Sequence, residues 1–217
     1  MLEESRPRNV AVITISRQLG SLGTKVAQEL ADRLGYRMVW REVINKAAAR
    51  SAAPEVALAM IDDLDLLKIR PSYRQRKAHR EAVEELVREL ADKGEIVIVG
   101  RAGQVILRDR PDVLHVRIIA PRELRIRRIA AAEGILECAA RERMKRSDKA
   151  RLHYVRRYYH VIWNDPALYD LVINTAHLSR AQATRVICQT VAACRHDDLS
   201  QHAPVRGPAA VVTASRE

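Results

Sequence analysis

Cysteine is scarce in this chain of 217 residues. Cys138, Cys188 and Cys194 are odd in number and share no C-x-x-C spacing, which excludes a disulfide framework and a cysteine zinc site and leaves three small thiols expected in the core. Long apolar runs are missing as well. No stretch approaches the ~20 residues a bilayer-spanning helix needs, and residues 1–9 are charged with no apolar signal core behind them. A soluble, cytoplasmic protein with no membrane partner is therefore expected. No internal repeat is found. Nor is there a strict Walker A loop, G-x-x-x-x-G-K-[ST], because glycine is missing at the required offset before Gly23 and Thr24-Lys25 follows in the wrong order.

What remains suits a packed domain. Hydrophobic residues make up 47% and charged residues 30%, so the length fits one domain with insertions. The formal charge of +11 favours polyanionic partners such as nucleotides or nucleic acid.

The most informative stretch runs from Val10 to Gly35. Val10, Val12, Ile13 and Ile15 read as a strand buried on both faces of a parallel sheet. A loop follows with Gly20 and Gly23, and then Val26, Leu30 and Leu34 form one helical stripe closed by Gly35. Strand, glycine turn and helix start together aim backbone N–H groups at one point, the geometry that holds a phosphate; tight turns also need glycine for shape alone.

Further strands are expected at Tyr36–Trp40, Ile96–Val99, Val113–Ile119 and Leu171–Ile173. Between them, Ala82, Val83, Leu86, Val87 and Leu90 give a helical stripe stopped by Gly94, and Pro121 opens a helix that Gly134 ends. From Glu137 to Trp163 the chain is helical and basic, and Ser179-Arg180-Ala181-Gln182 fits a capping box for a last helix. The ends, residues 1–9 and 196–217, are expected to be disordered. Strands alternating with helices imply right-handed crossovers and a five-stranded parallel sheet covered on both faces, with the Val10 strand central.

ITISRQLGSLGTKVAQELADRLG, IVGRAGQVIL, the P-x-E-x-R-x-x-R run through Pro121, Glu123, Arg125 and Arg128, RSDKAR at 146–151 and DLVINT at 170–175 occur in that order. Together they resemble the cytidylate kinase-like branch of the P-loop nucleoside monophosphate kinases, over residues 10–195. That branch typically begins its loop S-R-Q and lacks the Walker lysine. The resemblance implies a P-loop NTPase-type three-layer α/β/α domain with two helical insertions, an acceptor-binding one over 41–77 and an arginine-rich lid over 137–165. It implies ATP-dependent phosphoryl transfer to a nucleoside monophosphate, (d)CMP being the family-based choice, with Mg2+ bridging the donor phosphates.

Site roles follow from the same resemblance. Gly20, Ser21, Leu22, Gly23, Thr24 and Lys25 would hold the donor phosphate, with Ser21 the hydroxyl for phosphate or metal. Arg101 would clamp the acceptor phosphate, with Arg17 and Arg41 as further candidates, since a guanidinium fork binds two oxygens at once. Arg146 and Arg151 would act from the lid, with Asp148 orienting one arginine. His115 and His153 are lone histidines with no assigned role. The chain departs from the pattern at Leu22, where glycine is usual, and at Trp40 and Val99, where acidic residues are. Two other readings remain open: a kinase of another small acceptor, and a catalytically weak nucleotide sensor or nucleic-acid binder using the basic helix. The nucleic-acid reading is not favoured, because Tyr154, Tyr158 and Tyr159 also suit a helix packing its aromatic side inward.

Overall fold

The computed structural model describes residues 10–40 and 72–200. Five strands, β1 (Val12–Arg17), β2 (Arg37–Val39), β3 (Ile96–Val99), β4 (Val113–Ile119) and β5 (Leu171–Asn174), form one sheet in the order β2-β3-β1-β4-β5. Every pairing is parallel, with Ile15 opposite Val99 on one side and Val116 on the other. All five strands therefore end on one edge, where a doubly wound sheet binds its ligands.

Side-chain alternation sorts the two faces. Ile13, Ile15, Val97, Val99, Leu114, Val116 and Ile118 pack against α1 (Gly23–Leu34) and the last helix, α6 (Arg180–Ser200), through Val26, Leu30, Ile187 and Val191. Val12, Ile96, Ile98 and Val113 pack against α2 (Tyr73–Asp92) through Val83, Leu86, Val87 and Leu90. On this second face the strands turn polar toward their carboxyl ends: Thr14, Ser16, His115 and Arg117 are all buried there. His115 is not alone, as its sequence setting suggested; its Nδ1 shares a 2.7 Å hydrogen bond with Thr14 Oγ1.

The remaining helices are α3 (Gly103–Ile106), α4 (Arg122–Glu133) and α5 (Glu137–Tyr159). Ile126 and Ile129 of α4 pack on Ala140 and Met144 of α5, so the first half of the basic helix lies against the core. Gly35 and Gly134 end α1 and α4 in left-handed conformation, φ 70° and 66°. The expected capping box is present: Ser179 Oγ accepts from Gln182 N–H at 3.2 Å, and Gln182 Oε1 accepts from Ser179 N–H at 2.8 Å.

Some boundaries and placements differ from expectation. The basic helix stops at Tyr159 rather than Trp163, because His160 caps it in left-handed conformation with φ 56°. Backbone hydrogen bonding carries α6 to Ser200, past the end of its apolar stripe and into the segment expected to be disordered. The three thiols are free but not core residues: Cys138 is exposed on the first turn of α5, and Cys188 and Cys194 are half-buried. Arg41 and most of the 41–77 insertion lie outside the described residues.

Candidate active site

The turn after β1 is tied down by its carbonyls. Gln18 O accepts from Ser21 Oγ at 2.8 Å, Leu19 O from Arg125 Nε at 2.6 Å, and Ser21 O from Thr175 Oγ1 at 2.9 Å. Leu22 O accepts the first bond of α1, from Val26 N–H at 2.9 Å, which leaves the N–H groups of Gly23, Thr24 and Lys25 projecting from the helix start. The Gln18 side chain anchors the loop to the next strand end, accepting from Ala120 N–H at 3.2 Å. With Gln18 O, Leu19 O, Ser21 O and Leu22 O all engaged, the turn offers the first N–H groups of α1 to anything anionic at its mouth.

Two glycines make this packing possible. A Cβ on Gly20, whose φ is +78°, would stand 2.8 Å from the backbone oxygen of Arg125, and one on Gly23 would stand 2.4 Å from Arg17 Cβ. Leu22 takes a left-handed φ of 65° with a half-buried side chain, a conformation that costs a residue with a Cβ about 1–2 kcal/mol. Ser21 differs from its expected role. It is fully buried, with its hydroxyl donating to Gln18 O, so burial keeps its oxygen from a metal at the mouth; Thr24, half-buried on the first turn of α1, is the more accessible hydroxyl. Lys25 is exposed one residue further on.

The neighbouring turn, after β3, is built differently. Gly100, Arg101 and Ala102 are all left-handed, with φ of 79°, 56° and 54°, and the turn is closed by Gly103 N–H to Gly100 O at 3.1 Å. Such runs are strained and persist only where surrounding structure fixes them. Arg101 is half-buried here. Its charge reaches two groups on other elements. Burial and then the Arg101 cation lower the pKa of His79 on α2, which is 1% exposed with Nδ1 unbonded. Burial raises the Tyr154 phenol on α5, and Arg101 opposes that shift.

Arg17 lies between the two turns. It is buried, Nε meets Thr24 Oγ1 at 3.5 Å, and a Cβ on Gly100 would stand 2.7 Å from its Nη1. Its guanidinium also lies 5.3 Å from the centre of the Trp40 ring, at the end of β2. Thus Arg17 and Thr24 meet beside Gly100, the residue before Arg101, on adjacent strand ends. Arg146 and Arg151, expected to act from the arginine-rich segment, both lie on α5. Arg146 is exposed on α5, beside Glu142 one turn earlier, and Arg151 donates to Ser147 Oγ on its own helix.

Several residues with structural command of the site carried no role in the sequence reading. Arg125 was visible only as part of a motif, yet its guanidinium holds Leu19 O and makes two 2.8 Å bonds to Asp148. Arg128 holds Thr175 through Oγ1 at 3.0 Å and the carbonyl at 2.8 Å. Arg117 is buried without a carboxylate among the described residues; it donates to Trp163 O at 2.7 Å and Asn164 Oδ1 at 2.6 Å and lies over the Trp163 ring. Trp163 in turn donates to Ser16 Oγ at 3.0 Å, fastening the segment after α5 to β1. Among the described residues, no group of three or more acidic, histidine or cysteine side chains could hold a metal, and no helix is long and apolar enough to cross a membrane.

Comparison with known proteins bears on the family and the fold. The model of the cytidylate kinase-like family matches residues 12–177. A cytidylate kinase of Pyrobaculum aerophilum is 30% identical over 178 residues, covering 82% of this chain and 90% of that protein. A cytidylate kinase of Methanopyrus kandleri is 29% identical over 186 residues, covering 81% and 90%. Among solved structures, an uncharacterized protein from Eubacterium ventriosum has a TM-score of 0.66 at 24% identity, covering 83% of this chain and 98% of that one. A gluconokinase from Sinorhizobium meliloti has a TM-score of 0.55 at 13% identity, covering 90% and 99%, a likeness of fold.

Proposed function

This chain belongs to the cytidylate kinase-like family, and we propose on that footing that it transfers the γ-phosphoryl group of ATP to a nucleoside monophosphate. The observation that carries the reading is the turn after β1, with its carbonyls held inward and the first N–H groups of α1 turned out. In-line phosphoryl transfer asks little covalent chemistry of the protein; it asks that two polyanions be aligned and their charge neutralised. The first N–H groups of α1, at residues 23–25, hold the donor phosphates. Arg101 clamps the acceptor phosphate from the adjacent turn, and Arg17 spans the gap where the moving group passes. An acceptor oxygen attacks the γ-phosphorus, the bond to the β-phosphate bridge breaks, and ADP leaves with the electron pair.

Magnesium, bound with the nucleotide, would neutralise charge on the donor phosphates, and Thr24 is the side-chain oxygen at the loop mouth that fits it. Val99 supplies no carboxylate at the end of β3, so among these residues Thr24 is the one that would hold the ion. For the acceptor base the reading is cytosine, (d)CMP, supported by the names of the similar proteins from Pyrobaculum and Methanopyrus. Incubation with ATP, magnesium and a panel of nucleoside monophosphates tests both levels. ADP formed fastest with CMP or dCMP supports the full reading, faster turnover with another monophosphate corrects the base, and no ADP with any acceptor removes the kinase reading.

A further inference from the structure

We infer that Arg125 is a positioning residue that couples the phosphate loop to the lid helix. Its guanidinium is 4% exposed and bonds in two directions: Nε to Leu19 O in the loop at 2.6 Å, and Nη2 to both oxygens of Asp148 on α5 at 2.8 Å. One planar group thus fixes a loop carbonyl and a lid carboxylate at once, and a guanidinium cannot rotate toward one partner without disturbing the other. The loop has no slack to absorb such movement, since Gly20 already presses on the backbone of Arg125 too closely for a Cβ.

Two other ion pairs between α4 and α5 are more exposed: Arg141 reaches Glu123 at 3.4 Å and Arg143 reaches Glu133 at 2.7 Å. Exposed pairs of this kind contribute little, whereas the buried Arg125 guanidinium is left without a counter-charge when Asp148 goes. Docking of the first half of α5 through Ala140 and Met144 keeps Asp148 over Arg125. Withdrawal of α5 would leave a buried guanidinium half-satisfied while it still held Leu19 O. Donor binding and lid docking therefore favour one another through this side chain, which is how a lid limits transfer of the phosphoryl group to water.

The inference rests on the proposed donor site, and its test separates the two. Arg125→Lys, Asp148→Asn and the double variant are compared with the unaltered protein. Each single change is expected to raise KM for ATP about tenfold, to leave the acceptor KM within about threefold, and to raise ATP hydrolysis relative to transfer; the double variant should be no worse than the worse single one. Hydrogen exchange supplies a readout free of catalysis: in Asp148→Asn without nucleotide, a peptide spanning residues 18–26 should exchange faster, although residue 148 lies on another helix. Fold-changes that multiply in the double variant, or loop exchange unaltered in Asp148→Asn, would overturn the coupling. If the unaltered protein turns over no nucleotide, the donor reading fails and the exchange result alone decides the coupling. If Arg125→Lys does not fold, Asp148→Asn, at a partly exposed position, carries the test.

Discussion

The turns after β1 and β3 lie on adjacent strands and are made of opposite materials. The first is an amide cradle: its carbonyls are tied inward by Arg125, Thr175 and the loop's own serine, and glycines at 20 and 23 let neighbouring chain approach closely. The second is a strained pedestal for one side chain, with Arg101 and Ala102 both held left-handed at about 1–2 kcal/mol each. Amides treat one phosphate much like another. A guanidinium on a held backbone, close enough to His79 and Tyr154 to act on their charges, can favour one acceptor geometry over others. On the proposed function, the cradle serves the donor and the pedestal the acceptor.

The comparison breaks most visibly at Gly20. Replacement by Ala sets a Cβ against backbone rather than a movable side chain, so we expect a loss of about 3 kcal/mol in stability and more than ~100-fold in kcat/KM for ATP, read by urea unfolding and initial rates. Arg101→Ala should spare the cradle: the acceptor KM rises about 100-fold while that for ATP stays within about threefold. Equal effects on both substrates would show that Arg101 does not belong to the acceptor.

Leu22→Gly sharpens the contrast in the favourable direction. Relief of a left-handed leucine, less the entropy cost of glycine, leaves a gain of up to ~1 kcal/mol, and removing the side chain from the mouth should lower KM for ATP about threefold. The smallest effect concerns His79. Its pKa in the folded state lies below the ordinary 6.5, so the unfolded chain binds more protons there and stability falls as pH drops below that value. His79→Gln should flatten the thermal midpoint across this acid range by a few degrees at most, and acceptor binding at Arg101 should shrink that difference.

The sheet was legible because each strand is a short β-branched run bounded by polar or glycine residues. The capping box at Ser179 and the glycine stops at 35 and 134 were legible because local chemistry determines them. Glycines mark the cradle in the sequence, but the direction of its hydrogen bonds is invisible there, since Arg125 and Thr175 reach it from more than a hundred residues away. Ser21 misleads for the same reason. Its place in the motif suggests an exposed hydroxyl, and only the fold of the turn directs that oxygen to Gln18. Arg146 and Arg151 shared a motif with Asp148, yet on a helix each residue faces its own way, and it is Asp148 that Arg125 of another helix holds.

By itself the sequence determined the parallel sheet, the glycine turn after its central strand and the family to which the chain belongs, because these depend on periodicity and on local order along the chain. Only the tertiary structure decided which polar atoms the turn spends inward, that Arg17 lies between two turns, and that Arg125 bonds both the loop and α5. Those outcomes depend on distances between segments far apart in the chain, and hydrogen bonds and buried charges are selected by such distances rather than by residue order.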